Sequence, residues 1–229
     1  MRSRALAMCG AALLAAAAGA GAETHSGELA SGDATRDSGQ YVDTYEFQGQ
    51  DSQRATVTMT GESFDTYLIV ESPGGEQYVN DDFAPGTSQL DLLMGEAGTW
   101  KVMASSYGGG ESGSYQVEIT LGATGEAETL EGRLDDRDTM GIKGEYYDTY
   151  TIQVAPGTEL FVELESLGFD GYLAVKSPSG EMFRNDDAGS TSLARVGPLA
   201  GAAGDWTVYA TSNGAQEVGA YDLRIIRFE

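Results

Sequence analysis

Two long stretches of this chain repeat each other in order. Tyr41-Val42-Asp43-Thr44-Tyr45 returns as Tyr146-Tyr147-Asp148-Thr149-Tyr150, and Phe64-Asp65-Thr66-Tyr67-Leu68 returns as Phe169-Asp170-Gly171-Tyr172-Leu173. Ser72-Pro73 and Asn80-Asp81-Asp82 recur at the same offset of 105 residues, as Ser177-Pro178 and Asn185-Asp186-Asp187. After one inserted residue the offset is 106, where Trp100 matches Trp206 and Tyr115 matches Tyr221. Solenoid repeats run roughly 20–50 residues, whereas single domains most often have about 100–150. The period therefore predicts two complete, like-built domains, residues 23–122 and 123–229. A polar residue kept in both copies becomes a candidate for a shared role.

Residues 1–22 read as a signal peptide: Arg2 and Arg4, an apolar run from Ala5 to Ala18, and the small residues Ala20-Gly21-Ala22. The run is shorter than the roughly 20 residues of a membrane span. Glu23-Thr24 aligns with Glu128-Thr129, so the first copy begins where the leader ends. Export to the periplasm or the medium is the expectation. Cys9 is the only cysteine and lies within the leader, which leaves no disulfide, thiolate metal site or thiol nucleophile after cleavage.

The chain has 13 Lys+Arg against 36 Asp+Glu; loss of Arg2 and Arg4 leaves 11 against 36, a net charge of −25. Such a surface repels nucleic acid and anionic lipid, and favours solubility and divalent cations. Period-two alternation is frequent and helical periodicity is absent beyond the leader. Trp100, Val102 and Ala104 alternate with Lys101 and Met103, and Trp206, Val208 and Ala210 repeat the pattern. Phe64, Thr66, Leu68 and Val70 face one way, with Asp65, Tyr67, Ile69 and Glu71 opposite. Gly- and Pro-rich turns separate the runs. Each copy reads as about seven short strands of an antiparallel β-sandwich. The stretch Leu121–Ala127 reads as a short linker that permits some relative motion.

Catalytic chemistry is sparse. The single histidine, His25, lies near the mature terminus and reads as a solvated tail residue. A Ser-His-Asp triad or a His-based zinc site lacks its components. No acid stands out as a proton donor, and a non-enzyme is expected. A carboxylate-only hydrolase site is the catalytic alternative.

Three acidic sites recur. Folding the hairpin Phe64–Phe83 at Gly74-Gly75 places opposite each other residues whose numbers sum to about 149. Asp65 then approaches Asn80, Asp81 and Asp82, and in the second copy Asp170 approaches Asn185, Asp186 and Asp187. Such an end offers part of the oxygen shell that calcium requires; the alternative is an Asx turn in which these side chains bond local backbone. Asp43 and Asp148 share a face with Tyr41 and Tyr45, and with Tyr146 and Tyr150. If that face is inward, each carboxylate needs a partner, which tyrosine hydroxyls, backbone amides or a metal could each supply, and a structural hydrogen-bond role is the expectation. Trp100, Trp206, Tyr115 and Tyr221 read as core.

With these motifs in order and present twice, the chain resembles the bacterial pre-peptidase C-terminal domain, in two tandem copies covering nearly all of the mature protein. The carriers are Gly27-x-Leu29 and Gly132-x-Leu134, the Tyr-x-Asp-x-Tyr strands, Phe-Asp-x-Tyr-Leu and Asn-Asp-Asp. Gly98-Thr99-Trp100 and Gly204-Asp205-Trp206 follow, and then the closing Gly113-x-Tyr115 and Gly219-x-Tyr221. The resemblance implies a jelly-roll-like sandwich. Such domains follow the catalytic region of secreted peptidases, and the related modules of clostridial collagenases bind calcium and matrix protein. Here no peptidase domain is attached, and the acidic linker that supplies calcium ligands in those modules is missing. The function expected is a secreted or periplasmic, non-catalytic, calcium-stabilised binding protein for an extracellular polysaccharide or envelope protein. The alternative is an accessory subunit or folding aid for a separately encoded secreted peptidase or other hydrolase.

Overall fold

The computed structural model describes residues 21–188 and 190–229. Residues 1–20, which carry most of the expected leader, lie outside it. The first nine strands are β1 (Ala22–Leu29), β2 (Ala34–Thr35), β3 (Tyr41–Gly49), β4 (Gln53–Gly61), β5 (Thr66–Glu71), β6 (Gln77–Asn80), β7 (Thr87–Leu93), β8 (Gly98–Ser106) and β9 (Gly113–Thr124). The second nine are β10 (Glu126–Leu134), β11 (Thr139–Met140), β12 (Tyr146–Val154), β13 (Glu159–Ser166), β14 (Gly171–Lys176), β15 (Met182–Asn185), β16 (Leu193–Ala200), β17 (Gly204–Ser212) and β18 (Gly219–Phe228). The protein is all-β, and the described residues contain no helix.

In the first half the sheets run β1-β9-β4-β7 and β2-β3-β8-β5-β6; in the second they run β10-β18-β13-β16 and β11-β12-β17-β14-β15. All pairings are antiparallel. Set aside the two-residue β2 and β11, and eight strands remain per half in the jelly-roll order, every connection crossing between sheets except the hairpins β5–β6 and β14–β15. The count exceeds seven because the tiny edge strands and the ladders beside them carry little hydrophobic signal.

The alternation read from sequence sorts residues between core and surface. Trp100, Val102 and Ala104 are buried, as are Trp206, Val208 and Ala210. Leu29 and Leu134 are fully enclosed. Each half has its own core: one around Trp100, Val57 and Tyr115, the other around Trp206, Val162 and Tyr221.

A third apolar cluster joins the halves. Leu93 of the first packs with Phe161, Ile226 and Phe228 of the second. The Arg54 guanidinium lies 4.2 Å from the Phe228 ring centroid and 5.2 Å from that of Phe161, and pairs with Glu159 at 2.6 Å. Arg54 and Glu159 hold equivalent positions in the repeat, so divergence to opposite charges created this contact. Beside it, Glu163 is almost fully buried (2% exposed) and accepts from Arg195 Nε at 2.6 Å and Arg224 Nη1 at 3.0 Å. Arg224 Nη2 reaches back to Asp51 (2.6 Å) and the Ser52 hydroxyl (3.0 Å). Ser52 has a left-handed φ of 59°, where the second copy has Gly157. The Ser52 hydroxyl contact with Arg224 accounts for a serine at a position that favours glycine.

The expected linker is therefore corrected. Leu121–Thr124 belongs to β9 and Glu126–Ala127 to β10, leaving Gly125 between them, and Gly125 N donates to Ser52 O at 2.9 Å. Strand pairing consumes the backbone groups that a loose linker would leave to water.

Glu163→Ala leaves two half-buried guanidiniums without their carboxylate and is expected to cost about 3–5 kcal/mol. Calorimetry should show the single unfolding transition weakened or split in two; an unchanged melting temperature counts against a structural role for this triad.

Candidate functional site

The hairpin β5–β6 pairs Leu68 with Asn80 and Glu71 with Gln77, one residue from the expected register; β14–β15 pairs Leu173 with Asn185 and Lys176 with Met182. The acids are thus near one end of each hairpin, but no three His, Cys, Asp or Glu side chains among the described residues gather to hold a metal ion. The amides have another task. Asn80 Oδ1 accepts from Gln89 N at 3.1 Å, and Asn185 Oδ1 accepts from Arg195 N at 3.4 Å. Each amide therefore ties its turn to the strand that follows. Asp65 and Asp170 use their backbone carbonyls, which accept from Tyr107 N and Asn213 N, both at 2.9 Å. Asp81, Asp82, Asp186 and Asp187 lie in the turns after β6 and β15. The Asp170 side chain is engaged as well: Oδ2 accepts from Asn213 Nδ2 at 3.1 Å, while the buried Oδ1 has no hydrogen-bond partner.

Asp43 and Asp148 do have tyrosine hydroxyl partners, but these are Tyr115 and Tyr221, which the sequence reads only as core, and not the strand neighbours Tyr41, Tyr45, Tyr146 and Tyr150. Tyr115 Oη donates to Asp43 Oδ2 at 2.5 Å and lies 2.7 Å from Tyr45 Oη. Tyr221 Oη donates to Asp148 Oδ2 at 2.6 Å and lies 2.7 Å from Tyr150 Oη. A phenol has one proton, so Tyr45 and Tyr150 donate to their neighbours. Tyr115 is in β9 and Asp43 in β3, so the chain of hydroxyls crosses between the two sheets. The ring can lie there because Gly27 and Gly132 stand directly opposite in the ladder. A Cβ at Gly27 would come within 2.4 Å of Tyr115 Oη, and one at Gly132 within 2.2 Å of the Tyr221 ring. That contact is the physical reason for the repeated Gly-x-Leu opening. Burial, reinforced by the aspartate and tyrosine bonds, pushes both central phenols well above their ordinary value. Burial also raises the Asp148 carboxyl, opposed by the Tyr221 bond and reinforced by Asp138 and Asp135.

His25 is not a solvated tail. It lies in β1 opposite Val117, its ring stacks on Tyr45 at 4.4 Å, and Nε2 is 3.1 Å from Glu23. Leu130 fills the equivalent place and packs against the second core.

The remaining candidate is the outer face of each five-stranded sheet, where the two copies carry clefts of about 450 Å³ and 410 Å³. Size does not distinguish them, but their linings do. In the second copy Tyr147 of β12 and Tyr172 of β14 both stand opposite Thr211 of the intervening β17, one on each side, and Tyr209 lies two residues along the same face. Tyr147 and Tyr209 meet edge-on at 6.0 Å. Strand spacing puts the Tyr147 and Tyr172 backbones about 9.5 Å apart. Val42, Tyr67 and Met103 hold these places in the first copy. There the Arg36 guanidinium lies 4.2 Å over the Tyr67 ring, whereas its counterpart Gly141 has no side chain to cover Tyr172. Ile142 on the same rim is fully exposed. These tyrosines fall on the face opposite the core in the alternation, so the signal was present. Their convergence was not visible, because three strands that are not consecutive in the chain bring them together.

No family model matches the chain, and no curated protein matches it. Solved structures align over most of its length with low similarity. The major capsid protein P2 of bacteriophage PM2 matches at 8% identity and a TM-score of 0.28, over 90% of this chain and 97% of that one. The CUB1-EGF-CUB2 region of human MASP-1/3 matches at 10% and 0.26, over 90% and 99%. The PBSX exported protein XepA matches at 13% and 0.25, over 91% and 86%.

Tyr221→Phe removes both hydroxyl bonds and is expected to cost about 1–3 kcal/mol, read as a lower denaturation midpoint. The raised Asp148 value has a defined sign: its stabilising contribution is full below the free value of 3.8 and is lost as pH rises through the higher folded value. The melting temperature of Asp148→Asn relative to the native protein should therefore increase from about pH 3 to about pH 7. Tyr115 and Tyr221 lose their contribution above about pH 10, and absorbance titration should show their phenolates only as the chain unfolds.

Proposed function

We propose that this is a secreted or periplasmic, non-catalytic binding protein whose ligand docks on the outer tyrosine face of the second sandwich. One observation carries the reading. At equivalent places the first copy has Tyr67 with Arg36 over it and Tyr107 at 6.3 Å, and the second has Tyr147, Tyr172 and Tyr209 beside a glycine, with Asn213 in place of Tyr107. The clefts sit on matched scaffolds, so the difference is in recognition chemistry rather than in folding. Open clefts of this volume, mainly apolar with a few polar groups at the rim, suit ligand capture. Tyrosine gives large contact area at little entropic cost.

The likeness of the repeated motifs to pre-peptidase C-terminal domains supports the same reading, as does the shortage of acid–base and nucleophilic groups. The close docking of the halves adds that the second face is presented by a single body rather than by a module on a tether. The proposal does not require calcium. Millimolar calcium added to chelator-treated protein is expected to leave the melting temperature unchanged, whereas a rise would place a stabilising ion on the folded state.

Tyr172→Ala and Tyr209→Ala are each expected to weaken retention on the polysaccharide, matrix-protein or envelope fraction that captures the native protein. The loss is about 1–3 kcal/mol, or roughly tenfold to hundredfold in Kd. Tyr67→Ala in the first copy is expected to have a smaller effect. Equal retention of all three variants sinks the assignment to this face.

A further inference from the structure

The second copy's face differs from the first in charge as well as in aromatic content. Outward positions on β14 are Tyr172, Ala174 and Lys176, and β15 adds Arg184 opposite Ala174. Lys176 stands where the first copy has Glu71, and Arg184 where it has Val79. In the first copy Glu71 is neutralised by Lys101 at 3.0 Å; in the second, Thr207 replaces that lysine. Lys143 on the rim brings a third cation. Among the described residues, none of Lys143, Lys176 and Arg184 forms an ion pair, and neither do Arg36 and Arg133, whereas Arg54, Lys101, Arg137, Arg195, Arg224 and Arg227 all do. Of the nearby acids, Glu145 lines the same cleft beside Gly141 and accepts from Lys143 N at 2.9 Å, and Asp205 at the far end is bonded by Gln153.

A chain with nearly three acids per base would be expected to neutralise its few cations internally. Leaving three unpaired on one tyrosine-bearing face is electrostatic complementarity to something else. The flat rings spaced across adjacent strands suit pyranose rings, whose C–H faces stack on aromatics, and the cations suit anionic substituents. We propose that this face binds an acidic polysaccharide, a chain of sugar rings bearing carboxylate or sulfate groups, laid across Tyr147, Tyr209 and Tyr172 with its anions at Lys143, Lys176 and Arg184. The inference rests on the binding reading above and names its ligand class.

The test uses the full chain in affinity electrophoresis and calorimetry against four probes: a polyuronate, a sulfated glucan, an unmodified glucan and poly-glutamate. Either or both acidic glycans should bind, identifying which anion is taken. The neutral glucan and poly-glutamate should bind at least about tenfold more weakly, and affinity should fall as salt rises. Lys176→Glu combined with Arg184→Val, which installs the first copy's residues at exposed sites, should lose about tenfold or more in affinity with its melting temperature kept. Tyr172→Ala should lose a comparable amount. If the neutral glucan or a protein binds with Tyr172 dependence and no charge dependence, the acidic-glycan inference fails and the face remains the binding site. Poly-glutamate binding as tightly as the glycans also overturns it, since charge alone would then suffice. No binding by any probe overturns it outright, and binding insensitive to both sets of variants overturns the site itself.

Discussion

A sandwich of two sheets needs something that sets how they face each other, and here a tyrosine of the last strand does so. Tyr115 and Tyr221 reach from one sheet to an aspartate of the other, and each takes a second tyrosine hydroxyl on the way. The ring can cross only because the strand opposite carries glycine, at Gly27 and Gly132. With no cysteine among the described residues, this polar pin and the surrounding core hold each unit. The cost of partly burying a carboxylate is offset by short charge-assisted bonds, and the geometry recurs in both copies because each component depends on the others.

Given that scaffold, the repeat is free to diverge where it does not bear on the pin. One divergence became an interface. Arg54 and Glu159, equivalent positions, carry opposite charges and meet, and the cross-strand row Arg224-Glu163-Arg195 in the second copy replaces Glu118-Thr58-Gln89 in the first. The buried triad next to aromatic packing converts two sandwiches into one body with a single residue between their sheets. The other divergence is on the outer faces, where Arg36, Glu71 and Val79 become Gly141, Lys176 and Arg184. Duplication thus supplied two scaffolds, of which one came to present rings and cations while the other kept its ring under an arginine.

Much of this was legible in residue order. The alternation of Trp100, Val102 and Ala104 against Lys101 and Met103 identified the inner face. The repeated Asp43 and Asp148 indicated a carboxylate in need of a partner, but that Tyr115 and Tyr221 of the opposite sheet supply it did not follow from residue order. The hairpin acids were legible only in part. Proximity followed from the turn, but whether Asn80 and Asn185 look to a cation or to the next strand depends on β7 and β16, which no local pattern places. His25 misled for a related reason. Nearness to the terminus implied fraying, whereas pairing with β9 and stacking on Tyr45 secure it.

The sequence by itself determined the two-fold plan, the all-β class and the division of each strand into inner and outer residues, because these follow from short-range alternation and from the repeat. Only the tertiary structure decided which outer residues become neighbours. Tyr147, Tyr172 and Tyr209 belong to three strands that do not follow one another in the chain, and Arg54 meets Glu159 across a boundary that reads as a linker. Antiparallel pairing in a jelly roll joins strands far apart in the chain, so the chemistry of a face is a property of the ladder and not of any one segment.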